Sequence, residues 1–123
     1  MVTIPSFILR RLYVKGSLHN TGQGFEFQLR NTLGSGYGIK LHPLKIDGEE
    51  TPIESCYYTA DGKDSPFSTV SREQPFVLAV QKSITMAARD IHLSQESHKI
   101  GVAFDVPGLG ALKFDFTDTP SNE

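Results

Sequence analysis

The chain has 123 residues, 38% of them hydrophobic, with a formal net charge of −2 and a single cysteine, Cys56. The length fits one domain with its own core, and the near-neutral balance excludes a broad field recruiting nucleic acid or anionic membrane. One cysteine excludes an internal disulfide framework, and no apolar run approaches the ~20 residues of a membrane-spanning helix.

Residues 1–11 read as an N-terminal arm. Thr3 or Ser6 is placed to cap one helical turn around Pro5, and an extended arm fits equally well. Leu12, Val14 and Leu18 share one parity, so residues 12–19 are expected as a strand. A turn cluster at 20–24 follows. Phe25, Phe27 and Leu29 then alternate with Glu26, Gln28 and Arg30, the pattern of a second, half-buried strand. The Gly-rich stretch 34–38 breaks the pattern and reads as a mobile loop. Ile39, Leu41, Leu44 and Ile46 resume it, with Pro43 marking a bulge, a bend or a sheet edge. Asp47-Gly48 is a strong hairpin turn, and a shorter strand at 53–59 ends at Asp61-Gly62.

Residues 65–75 look irregular. Phe76-Val77-Leu78-Ala79-Val80 is a continuous apolar run, which predicts a strand buried on both faces. Residues 86–93 contain helix formers but are short, and strand or irregular chain is preferred. Residues 94–98 form a turn. The clearest pattern closes the chain: Ile100, Val102, Phe104 and Val106, then Pro107-Gly108-Leu109-Gly110, then Leu112, Phe114 and Phe116. That is strand, turn and strand, each with one apolar face. The tail 117–123 is polar and expected to fray. These elements make an all-β chain, an antiparallel β-sandwich of about 7–9 strands rather than a barrel, with room for one short N-terminal helical turn. A single domain over 1–123 is expected.

The motifs point away from a reactive centre. The glycines at 34–38 precede a strand rather than a helix and lack a Gly-Lys-Ser/Thr ending, so they are no phosphate cradle. His19, His42, His92 and His98 show no local metal spacing. His42 stands out because it sits beside Pro43 between apolar positions. Cys56 has no basic neighbour in sequence and reads as structural. Asp47-Gly48 and Asp61-Gly62 lack the full calcium-loop pattern. Asp105 and Asp115 lie on the parity opposite the phenylalanines, a solvated face by default. No Gly-x-Ser-x-Gly elbow is present. Tyr37 among flexible glycines suits a partner contact, and Arg10-Arg11 beside Phe7, Ile8 and Leu12 suits an acidic surface. The candidate interface residues are therefore Tyr37, His42, Arg30, Arg10 and Arg11. No catalytic residue, metal ligand or cofactor is expected.

Four landmarks appear in order: Gly24-Phe25-Glu26-Phe27, Gly36-Tyr37-Gly38, Ile46-Asp47-Gly48-Glu49-Glu50 with Pro52, and His98 opening the alternating strand. Across 12–116 this order resembles the small β subunit of bacterial C-glycoside deglycosidases, while the segment from Phe7 to Val14 has no match there. The resemblance implies a β-sandwich that supports a larger, sugar-active, metal-bearing catalytic subunit and carries no catalytic position itself.

The leading expectation is thus a non-catalytic accessory subunit, working with a larger protein partner or as a homo-oligomer, in a complex of lyase type. No nucleic acid or membrane partner is expected. A cytoplasmic setting is the default expectation for a chain with one cysteine and no basic segment before an apolar run at its start. Two alternatives remain. One is a small lyase or isomerase with a site assembled across strands from His42, Glu54 or the Asp105/Asp115 face. The other is a carbohydrate-binding sandwich using Tyr13, Tyr37, Tyr57 and Tyr58.

Overall fold

A computed structural model describes residues 4–122. Two sheets face each other, with a small third pair at one end. The first sheet contains β1 (His19–Asn20), β2 (Gly24–Arg30), β7 (Cys56–Ala60), β8 (Lys63–Pro66), β10 (Ser83–Arg89) and β13 (Ser121–Asn122), in the spatial order 13-1-2-10-7-8. The second is built on β11 (His98–Val106), with β12 (Gly110–Asp118) on one side. On the other lie β4 (Lys40–Leu41) and β5 (Lys45–Ile46), the latter continued by β6 (Glu49–Glu50). The end pair is β3 (Gly36–Gly38) with β9 (Phe76–Leu78). The all-β sandwich is as the alternation predicts. The strand count exceeds the expected 7–9 because Pro43 divides 39–46 into two short strands and each Asp-Gly turn returns the chain for a further short one.

Register explains the core. β2 and β10 pair Phe25 with Ala88, Phe27 with Met86 and Leu29 with Ile84. β10 and β7 pair Met86 with Tyr58 and Ala88 with Cys56. In the facing sheet, Ile100, Val102 and Phe104 lie opposite Phe116, Phe114 and Leu112. Side chains alternate faces at a period of two, so each register places one whole apolar set inward. Phe27 meets Phe116 across the layers, edge to face, at 5.0 Å between ring centres. Both Asp-Gly turns have positive φ at each residue (53° and 93° at Asp47-Gly48, 53° and 78° at Asp61-Gly62), the conformation that matches strand twist in a two-residue hairpin.

Several expectations are corrected. Residues 12–19 are not a strand. Arg10–Leu12 closes a 3-10 turn, Tyr13 makes one isolated bridge to Leu29 of β2, the Ser17 amide then donates to the Val14 carbonyl, and the continuous ladder with β2 begins only at His19. The parity was nonetheless meaningful, since Leu12 and Leu18 are both buried. A helical turn, α1 (Ser6–Leu9), does form, with Pro5 and not Ser6 at its cap position. Thr3 lies outside the described residues. Within the 34–38 stretch, Gly36–Gly38 form β3, and only Gly34 and Ser35 remain loop. The run at 76–80 is not buried on both faces, because β9 pairs only with β3 and leaves Val77 and Val80 in solvent. Within the tail, Thr117 and Asp118 continue β12, Pro120 is buried, and Ser121–Asn122 pairs parallel with β1, the single parallel pairing among the described residues. α1 packs against β12, where the Arg10 Nε donates to the Asp115 carbonyl at 2.6 Å.

Candidate functional site

The end of the sandwich holding the 106–110 turn presents an apolar surface. Tyr37 and Val77 are cross-strand neighbours on β3 and β9, exposed by 49% and 58%, and Val80 and Leu33 are exposed nearby by 46% and 36%. A cavity of about 160 Å³ opens beside them, lined almost wholly by apolar side chains including Leu33, Tyr37, Phe76, Leu78 and Leu109. Asn31 fastens this end. It is buried, its amide donates to the Gly34 and Leu78 carbonyls at 2.7 Å each, and its carbonyl oxygen accepts the Leu33 and Gly34 amides at 3.0 and 3.2 Å. All four bonding positions of the side chain are used, so the segment carrying Tyr37 is held and not loose. Arg30 ends β2 at this rim and donates to Gln81 Oε1 at 3.0 Å, next to Val80.

A second concavity, about 460 Å³, lies on the outer face of the β11–β12 sheet. Its geometry follows from register. Gly101 sits between Lys45 and Asp115, and Asp105 lies between Lys40 and Ala111. Ala103 lies opposite Lys113 on one side and accepts the His42 amide on the other. Small residues down the middle strand leave a trough between longer side chains. A Cβ on Gly101 would meet the Lys45 Cβ at 3.2 Å. His42 Nε2 lies 2.9 Å from Asp105 Oδ1. An ionised carboxylate only accepts, so Nε2 is the donor, and the neutral form of the ring has its lone pair on Nδ1. Arg10 reaches the same face through Asp115, 3.6 Å away.

The five candidate interface residues therefore divide. Tyr37 and Arg30 belong to the apolar end, and His42 and Arg10 to the trough. Arg11 is exposed and makes no hydrogen bond or ion pair with any described residue. Glu54 is exposed and does not line the trough. The four tyrosines share no common face. Tyr13 stacks on Phe116, Tyr58 packs on Phe76, and Tyr57 lies under the Arg89 guanidinium. Cys56 is fully buried, with Thr51 Oγ1 at 3.1 Å from its sulfur. Among the described residues, no three His, Cys, Asp or Glu side chains gather as a metal site, and no helix is long and apolar enough to cross a membrane.

Sequence reasoning missed one constellation. Asp47, His98 and Ser94 come together at the end of the sandwich opposite Tyr37. His98 Nδ1 lies 2.8 Å from Asp47 Oδ2, and His98 Nε2 lies 3.0 Å from Ser94 Oγ. The only trace in sequence was His98 at the inward parity of Ile100, where an apolar residue is the norm.

The fold and these surfaces define a small two-sheet β-domain with one apolar end and one polar trough. The family model for hydroxymethylglutaryl-CoA reductase, N-terminal domain, matches residues 8–121, and the chain belongs to that family. No curated protein matches it. The resemblance to C-glycoside deglycosidase small subunits is overturned by the family match, and the sugar-metabolic setting it implied goes with it. Its landmarks, alternating phenylalanines and Asp-Gly turns, are what any antiparallel sandwich of this kind needs, so they carry fold and not kinship.

Proposed function

We propose that this chain is an accessory β-sandwich domain that docks on a larger catalytic protein through its apolar end, and that the catalytic portion of a hydroxymethylglutaryl-CoA reductase is that partner. The observation that carries this is the exposed cluster of Tyr37, Val77, Val80 and Leu33 beside an apolar cavity. Contiguous exposed apolar surface held on a fixed scaffold marks interaction sites, and a central aromatic beside a pocket is the usual anchor. The family's name supports the partner, since it describes an N-terminal domain of that enzyme. Sedimentation velocity of the purified chain mixed with the reductase catalytic portion of the same organism tests it. A complex is expected, lost on Tyr37→Asp or Val77→Asp with the fold intact. No complex at about 100 μM overturns the reading, because a specific interface holds at that concentration. Self-association of the chain alone through the same residues would replace this partner with a second copy.

A second reading rests on the trough. An oriented imidazole beside Lys45 and Lys113, neither ion-paired among the described residues, in a concavity of ligand size that also holds Glu50 and Asp115, suits a small polar ligand that carries a carboxylate and a hydrogen-bond donor. Titration with a small carboxylate should shift the His42 ring resonances, and a silent spectrum removes this reading.

A further inference from the structure

We propose that Ser94 is a reactive nucleophile, its proton taken by His98 and His98 oriented by Asp47, that accepts an acyl group from small activated esters. This goes beyond the docking reading, which assigns no reactive group, and lies at the other end of the sandwich from its surface.

The order of the three side chains is what matters. The Asp47 carboxylate accepts from His98 Nδ1 at 2.8 Å, so the neutral form of the ring has its lone pair on Nε2. Nε2 is the atom that faces Ser94 Oγ at 3.0 Å, so the serine hydroxyl donates to it. Nucleophile to base, and base to orienting carboxylate, is the connectivity of an activated serine, and it recurs on unrelated folds. A hydroxyl turned the other way, or a histidine bonded through the opposite nitrogen, would not have it.

The supports are held in place by the fold. Asp47 opens a two-residue hairpin turn with φ of 53°, and its other oxygen accepts the Lys99 amide at 2.9 Å. The Lys99 amide first, then the His98 ring, keep its carboxyl below the usual range, so it stays ionised and able to orient the imidazole. The His98 side chain is only 12% exposed. The Ser94 carbonyl oxygen sits 3.2 Å from Nε2, ready to accept from that nitrogen once it is protonated. Ser94 itself is exposed. The exposure of Ser94 is why small esters with good leaving groups are the substrate class.

The chemistry balances without a co-reactant other than water. The Ser94 Oγ–carbonyl bond forms as the ester C–O bond breaks. The serine proton passes to His98 Nε2 and then to the departing oxygen. Water repeats the sequence, releasing the acid and restoring the hydroxyl. Treating the intact chain with p-nitrophenyl acetate tests this, with peptide mass spectrometry locating the acetyl group. Acetylation at Ser94 and a stoichiometric burst of p-nitrophenolate are expected. Ser94→Ala should abolish the burst. Asp47→Asn, which tolerates the left-handed turn, should slow it about 10²–10⁴-fold while far-UV circular dichroism stays unchanged. Folded wild-type chain with no acetyl on Ser94 overturns the proposal whatever the variants do, as does an Asp47→Asn chain acetylated at the wild-type rate.

Discussion

The Tyr13 ring lies flat on Phe116, with ring centres 3.6 Å apart and planes 9° from parallel, while its hydroxyl donates to Asp118 Oδ2 at 2.7 Å. One residue from the N-terminal segment thus closes the apolar layer with its face and ties down the end of β12 with its tip. Burial first, then the Asp118 carboxylate, pushes the Tyr13 hydroxyl up to about 12 from 10.0. Burial also opposes ionisation of Asp118, but hydrogen bonds from Tyr13, the Gly16 amide and the Thr119 amide outweigh it and hold that carboxyl below the usual range.

The signs give opposite pH limits. Tyr13 is raised in the folded state, so its contribution is complete below about pH 10 and disappears as pH climbs through about 12. Asp118 is lowered, so its contribution is present above the ordinary aspartate range and is lost as pH falls through the depressed folded value. A tyrosinate absorbance titration should resolve one step near pH 12 that Tyr13→Phe removes. A wild-type titration lacking that step refutes the assignment.

Gly24 sits where a side chain has no room. A Cβ there would meet the Ala88 carbonyl oxygen at 2.0 Å, and that oxygen is backbone in the paired strand. Gly24→Ala should cost about 3 kcal/mol or more in chemical denaturation, since β10 must move to admit it. Gly36, where a Cβ would meet nothing within 4 Å and φ is not positive, is the control. Gly36→Ala should stay within about 1 kcal/mol of wild type.

Phe27 is fully buried and touches both the Tyr13 and Phe116 rings. Phe27→Ala should cost about 3–5 kcal/mol in urea denaturation, through lost burial and the cavity left at the centre of the two layers. A loss under about 1 kcal/mol would show that the layers collapse around the site.

Asn31 links fold to docking surface. Asn31→Ala strands the Gly34 and Leu78 carbonyls and the Leu33 and Gly34 amides, and should cost about 2–4 kcal/mol. Faster hydrogen exchange should appear first in residues 31–38. Protection unchanged there would mean that β3 is held by its pairing with β9 alone.

Much of this architecture was legible because its causes are local. The hairpin from His98 to Asp118 needs only alternation and a Pro-Gly turn, and the Asp-Gly pairs announce their own geometry. What was not legible depends on distant partners. Val77 reads as core, yet β9 has a single neighbour and nothing among the described residues covers its outer face. Leu12, Val14 and Leu18 keep strand parity, but the positive φ of Gly16 and the 3-10 turn before it curl the chain away from a ladder. Asp47 and His98 stand 51 positions apart, and each reads as part of an ordinary turn until β5 and β11 are placed side by side.

The Arg10 contact with the Asp115 carbonyl has a further consequence. β12 is nine residues long and ends its sheet, so its outward amides and carbonyls would otherwise be a bare template for another extended chain. α1 lies across that border like a bumper, and the guanidinium just beyond it occupies a carbonyl that an incoming polypeptide would need. A short N-terminal turn that anchors itself in the core through Leu9 thereby also shields an edge open to fibrillar polymerisation.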